Sequence, residues 1–192
     1  AAASRSTGVR PRASAEASVH AFAAVGVNLA LVEARTLLLV ADDVVGGVDL
    51  LEALGMGDQN ITTGAICVYH RFVAAAVDAL KGSGIPVAAV STGFPAGLVP
   101  HDVKLREIEA SVKDGAQEID IVVTREYVLT GNWKALYDEM RDFRQACGDA
   151  HVKAILATGD IKTMKNIAKA SMVCMMAGAD FIKTSTGKET SN

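Results

Sequence analysis

The residues with the most chemical reach in this chain are two lysines and an aspartate set inside apolar, strand-like runs. Lys183 stands in Ala179-Asp180-Phe181-Ile182-Lys183-Thr184-Ser185-Thr186-Gly187-Lys188, directly after Phe181 and Ile182 and before a small-polar, glycine-containing turn. A buried ammonium must be paired or neutralised. Desolvation lowers a lysine's pKa, and the neutral amine is a nucleophile toward carbonyl carbon. Lys183 is therefore a candidate Schiff-base lysine. The bland alternative is a strand-end lysine that snorkels to water or pairs with a carboxylate. Two further apolar runs carry Asp120 (118–123) and Lys153 (152–157). Side chains alternate along a strand, so Asp120 shares a face with Val122, Lys153 with Ile155 and Ala157, and Lys183 with Phe181 and Ser185. If these faces look into one interior, the three charged groups converge. A Lys153 ammonium then disfavours charge on Lys183, and Asp120 can move protons as a carbinolamine and an enamine form. The structural alternative is a buried Asp–Lys pair that only joins strands.

Other chemistry-bearing residues are weaker. The turn Thr184-Ser185-Thr186-Gly187-Lys188 offers backbone N–H groups, hydroxyls and an ammonium that could cradle a phosphate; the alternative is an ordinary polar loop. It is not a Walker A loop, because Ile182 occupies the first glycine position and Glu189 follows Lys188. Cys67, near the end of a strand-like run, reads as a buried, inert thiol. His70 and His101 stand alone, and no metal site is expected.

These residues need elements to carry them. An apolar, β-branched run (61–69) leads into a helix-like block (71–81) stopped by Gly82 and Gly84. A strand (86–92) enters the turn Gly93-Phe94-Pro95-Ala96-Gly97. A helix over 103–114 carries Leu105, Ile108 and Val112 on one face, with Gly115 as its C′ residue. After the Asp120 strand, Trp133, Leu136, Met140 and Phe143 form a helical stripe. After the Lys153 strand, Met164, Ile167, Ala168, Met172 and Met175 make the next helix face. Met172, Met175 and Met176 are expected to fill gaps in the core. Gly115-Ala116 and Gly178-Ala179 each precede an acid and a buried strand, a weak internal echo. Repeated βα units without hairpin signals imply a parallel sheet covered by helices. The sheet is either open and doubly wound or closed into a barrel. The lack of a G-x-G-x-x-G motif and the spread of catalytic-type residues over several strands favour the barrel.

Bulk properties narrow the class. With 192 residues, half of them hydrophobic, and a formal net charge of −3, the chain can build one real core. No basic footprint for nucleic acid is present. Three cysteines without C-x-x-C spacing argue against a disulfide framework or a structural zinc site. No apolar run reaches the roughly 18 residues of a membrane span. The expected location is the cytoplasm, with organelle targeting left open by the Arg/Ser/Ala-rich start. Residues 1–24 read as a disordered or targeting-like tail and 25–192 as the β/α domain.

In combination, these motifs resemble those of the deoxyribose-phosphate aldolase family. The resemblance rests on the segment 180–188, on Glu118-Ile119-Asp120-Ile121-Val122-Val123, on Val152-Lys153-Ala154-Ile155-Leu156-Ala157-Thr158-Gly159, on Thr63-Gly64-Ala65-Ile66-Cys67-Val68-Tyr69 and on Gly93-Phe94-Pro95-Ala96-Gly97. It runs from about Ile61 to the end, and residues 128–147 are similar to the animal-type branch. The resemblance implies a TIM (β/α)8 barrel and a class I aldolase with no metal or cofactor. It would cleave 2-deoxy-D-ribose 5-phosphate reversibly to D-glyceraldehyde 3-phosphate and acetaldehyde, in deoxyribonucleotide catabolism. Lys183 would form the imine, Asp120 would transfer protons and Lys153 would sit in the relay. Cys67, Thr186, Gly187 and Lys188 are taken as substrate-binding. The expected partners are a phosphorylated sugar and an aldehyde, with no nucleic acid and no membrane; homo-oligomer formation is left open.

Two departures from the family pattern stand out. The family's first strand carries Asp-Leu-Thr-Thr-Leu, whereas this chain has Ala34-Arg35-Thr36-Leu37-Leu38, followed by Asp42 and Asp43. A barrel of this kind takes about 250 residues and a βα unit roughly 30, so about two final units are expected to be missing, with a second catalytic lysine and most of the phosphate site. A chain that begins without Met and stops just after a strand is expected to be a cut piece. On its own it should be poorly folded and nearly inactive. The competing readings are a catalytically dead relic that only binds or assembles, and another Schiff-base barrel enzyme of the transaldolase type.

Overall fold

The computed structural model describes residues 64–190. The tail over 1–24, the run Ala34-Arg35-Thr36-Leu37-Leu38, Asp42, Asp43 and the start of the 61–69 run lie outside the described residues. Five strands alternate with helices: β1 (Ile66–Tyr69), a 3₁₀ turn (His70–Phe72) and α1 (Val73–Ala79); β2 (Val87–Ser91) and α2 (His101–Lys113); β3 (Glu118–Val122), α3 (Arg125–Leu129) and α4 (Trp133–Cys147); β4 (His151–Ile155), α5 (Thr158–Ile161) and α6 (Met164–Ala177); and β5 (Phe181–Lys183). The expected elements are present among the described residues, with most boundaries shifted by one or two residues as ends tighten into turns; β1 starts only at Ile66.

Among the described residues, all strands are parallel and ordered β1-β2-β3-β4-β5. Each of these strands pairs with the next in sequence, so the winding does not reverse among the described residues. A doubly wound sheet reverses at a switch point; this one winds in a single direction, as a barrel does. The packing agrees. Ile119 and Ile121 of β3, Val152 and Ala154 of β4 and Val87 and Ala89 of β2 join one hydrophobic cluster with Leu136, Met140 and Phe143 of α4. Val90, Asp120, Val122, Lys153 and Ile155 lie outside that cluster yet are buried. Helices cover one face, and the other face looks inward.

The glycine echo has a local cause. Gly115 and Gly178 both have φ above +100°, and the residue after each donates its N–H to the carbonyl five residues back, Ala116 to Ser111 and Ala179 to Cys174, both at 3.0 Å. This is the bonding of a left-handed helix stop, which aims the chain back into the sheet. Helix starts are built as the residue types suggest: Asn132 accepts from the Ala135 N–H and Thr163 from the Asn166 N–H.

One expectation is corrected. Met172, Met175 and Met176 do not fill the core: all three are exposed, as is Met164. α6 instead buries Ala170, Cys174 and Ala177. Small residues let this helix lie close to α4 and the sheet, and the long thioethers fall on the opposite, outward side. Apolar character alone did not reveal which stripe faced in, because α6 is apolar around much of its circumference.

Candidate active site

The strand register brings Asp120 beside Lys153 on β4, and Lys183 beside Ile155, two residues beyond the Phe181 that pairs with Lys153. The three charged groups meet as the alternation predicts. Asp120, 1% exposed, accepts a hydrogen bond from Lys183 Nζ at 2.7 Å on Oδ2. Lys153 Nζ lies 3.3 Å from its Oδ1. Cys67 Sγ donates to Oδ2 across 3.5 Å. The side chain of Lys183 is 32% exposed, whereas that of Lys153 is nearly buried. Of the two amines, that of Lys183 is therefore the more accessible.

Glu118 completes the cluster and escaped the sequence reading. Its carboxylate contacts Lys153 Nζ. The signal was available, since Glu118 stands two residues before Asp120 on the same strand face. Burial works against the charge on Lys153, but Asp120, foremost among the nearby groups, and then Glu118 hold its pKa above the usual 10.5. Two ammoniums thus face two carboxylates. The repulsion expected from Lys153 toward Lys183 acts in a field that Glu118 and Asp120 largely balance. Burial, and next the Asp120 charge, push the Cys67 thiol up to about 12, offset in part by Lys183 and Lys153. The inert-thiol reading of Cys67 fits that environment, although the residue lies within the cluster.

The turn after β5 is ordered by its own side chains. The Gly187 N–H donates to Ser185 Oγ at 2.8 Å and the Lys188 N–H to Thr186 Oγ1 at 3.1 Å. Glu189 accepts from Ser185 Oγ at 2.6 Å and from the Thr186 N–H at 3.0 Å. Gly187 has φ +75°, a conformation suited to glycine. Lys188 is exposed. The three turn residues expected to bind a ligand therefore sit together beyond Lys183, with their amides already engaged inside the loop.

Two further devices shape the strand ends. Thr92, fully buried with φ +62°, is strained for a β-branched residue. Its hydroxyl accepts the Val122 N–H at 2.8 Å and donates toward the Val122 carbonyl at 3.0 Å, extending the ladder from β2 to β3. On the helical side, the buried carboxylate of Glu139 accepts from Thr124 Oγ1 at 2.6 Å, from the Thr124 N–H at 3.1 Å and from Lys104 Nζ at 2.9 Å. That knot fixes the turn leaving β3, the strand that carries Asp120. Nothing in residue spacing marked either device.

Among the described residues, no group of His, Cys, Asp and Glu is arranged to hold a metal ion. No helix there is long and apolar enough to cross a membrane.

Comparison with known proteins agrees with this geometry. A human deoxyribose-phosphate aldolase is 61% identical over 146 residues, covering 75% of this chain and 46% of that protein. A Bos taurus deoxyribose-phosphate aldolase matches equally, 61% over 146 residues with the same coverage. The chain thus spans about half the length of the curated relatives it matches. The crystal structure of a candidate deoxyribose-phosphate aldolase from Coccidioides immitis superposes with a TM-score of 0.70 at 27% identity, over 83% of this chain and 57% of that one. The fold is thereby that of the β/α-barrel aldolases. Residues 50–192 match the model of the DeoC/LacD family aldolases, and the chain belongs to that family, within which it is similar to the animal deoxyribose-phosphate aldolases.

Proposed function

We propose that the protein is a class I aldolase that cleaves 2-deoxy-D-ribose 5-phosphate reversibly to D-glyceraldehyde 3-phosphate and acetaldehyde. The observation that carries this reading is the contact between a partly accessible lysine amine and a buried carboxylate, Lys183 Nζ to Asp120 Oδ2 at 2.7 Å, in a chain that is 61% identical over 146 residues to human deoxyribose-phosphate aldolase.

The chemistry follows from the placement of these groups. Asp120 is within reach to take the ammonium's proton, leaving the Lys183 amine to attack the aldehyde carbon of the open-chain sugar. The carbinolamine loses water and becomes an iminium. A base accepts the proton of the 3-hydroxyl, the C2–C3 bond breaks, and its electron pair moves into the iminium to give an enamine while glyceraldehyde phosphate departs. The same carboxylate, directly or through water, returns a proton to C2, and hydrolysis of the resulting iminium frees acetaldehyde and the lysine. Lys153 supports the relay as a fixed ammonium beside Asp120. The protonated imine is itself the electron sink, so these steps call for no further cofactor. The sugar phosphate would take the amides of Gly187 and Lys188 by displacing the hydroxyls of Ser185 and Thr186, with Lys188 adding charge.

This reading is supported over an inert binding relic because the groups an imine reaction needs are mutually oriented. The test uses the protein as its full transcript encodes it. Incubation with acetaldehyde and borohydride should trap an adduct on Lys183. An adduct confined to Lys153 or Lys188 would sink the assignment.

A further inference from the structure

We propose that Arg125 is a positioning residue for the phosphate end of the substrate, acting as a clamp that ties the loops after β2, β4 and β5 to the end of β3. The inference rests on the aldolase reading above and assigns a role to residues that take no part in the imine chemistry.

Arg125 begins α3, three residues beyond the last residue of β3. Its side chain is only 18% exposed. Nη1 donates to the Ala96 carbonyl at 2.7 Å and Nη2 to the Pro95 carbonyl at 3.0 Å, both in the loop after β2. Nε lies 3.0 Å from the Asp160 carboxylate in the short helix after β4. Nη2 also lies 4.0 Å from Glu189 Oε1, in the turn after β5. One planar fork thus reaches three loops that lie 29 to 64 residues from Arg125 along the chain. A lysine offers a point charge and cannot present donors in these directions at once.

Glu189 passes the effect to the turn. Its side chain is 1% exposed. Burial alone would raise its pKa, but bonds from Ser185 and from the Thr186 amide bring it to about 2. The carboxylate therefore stays ionised and holds the Thr186 N–H and the Ser185 hydroxyl. Ser185 in turn accepts the Gly187 N–H. Arg125 Nη2 faces this carboxylate at 4.0 Å, and through that charge contact the clamp reaches the turn. Without Arg125 the buried Glu189 carboxylate loses that facing charge and shifts toward water, loosening its bonds with Ser185 and Thr186.

The experiment compares R125K, R125Q and E189Q with the unaltered full-transcript protein, using 2-deoxyribose 5-phosphate and unphosphorylated 2-deoxyribose. Misplacing a positioning group by about 1 Å can lower a rate by ~10²-fold. The ratio of kcat/KM for the phosphorylated over the unphosphorylated sugar should accordingly fall by roughly 10- to 100-fold in both Arg125 variants, mainly through KM. An unchanged ratio, whether both activities persist or fall together, overturns the proposal. Amide exchange provides a second readout that needs no turnover. Thr186 and Gly187 should exchange faster in R125Q and in E189Q, while the amides of β3 keep their protection. Unchanged exchange at Thr186 and Gly187 in R125Q refutes the clamp even if the protein cleaves neither sugar, a result that would separately remove the aldolase reading. R125K keeps the test open if R125Q does not fold.

Discussion

Replacing Asp120 with Asn probes the charge cluster and the chemistry together. At an effective dielectric constant of about 20, charges at 2.7 Å and 3.3 Å attract by roughly 6 and 5 kcal/mol, the separations of Lys183 and Lys153 from Asp120. Desolvation offsets much of this, and removing one partner of a buried pair typically destabilises by about 3–5 kcal/mol. Asp120→Asn leaves Lys153 with Glu118 and removes the carboxylate that Lys183 bonds. In a domain of this size 1 kcal/mol moves Tm by about 2–4 °C, so Tm should fall by roughly 6–20 °C. Turnover should fall by about 10²–10⁴-fold with KM nearly unchanged, equivalent to about 3–5 kcal/mol of barrier. The imine should still form, because the amine and not the carboxylate is the nucleophile. The assay pairs acetaldehyde release with borohydride trapping on the full-transcript protein, and a thermal melt gives stability. A variant that turns over within about threefold of the unaltered protein refutes the proton-transfer role. A variant with unchanged Tm refutes the electrostatic reasoning.

Other predictions follow from single contacts. Thr92→Val keeps the shape but leaves the buried Val122 N–H without its acceptor, and should lower unfolding free energy by about 1–3 kcal/mol; denaturant titration that finds no loss would remove Thr92 from the ladder. Lys104→Met strands the Glu139 carboxylate and should destabilise by about 3–5 kcal/mol, with much of the loss recovered in the Lys104→Met, Glu139→Gln double variant; a single variant as stable as the parent would contradict this. The Glu189 pKa is depressed from 4.5 to about 2, so its contribution is fully present above about 4.5 and disappears as pH falls through about 2. Amide protection at Thr186 should fade across that window in the parent and show no such dependence in Glu189→Gln. The raised Lys153 pKa gives the opposite sign: its contribution is present below about 10.5 and is lost at higher pH, which an alkaline melt of Lys153→Met against the parent would reveal.

The sequence by itself determined the alternation of strands and helices, because apolar period and glycine stops are local properties. It also determined that Asp120, Lys153 and Lys183 can meet, because a period of two fixes which face each residue takes once the strands are parallel. Only the tertiary structure decided which closure the sheet adopts, since strand order is a long-range property that no single βα unit carries. Only it turned Met172, Met175 and Met176 outward, because a helix apolar on several sides is oriented by which small residues allow close approach. Glu118 was legible by the same alternation that found Asp120. The contacts of Arg125 with Ala96 and Glu189, of Thr92 with Val122 and of Lys104 with Glu139 were not, because these partners lie 29 to 64 residues apart and come together only when successive βα units stack and bring their loops to one end of the sheet.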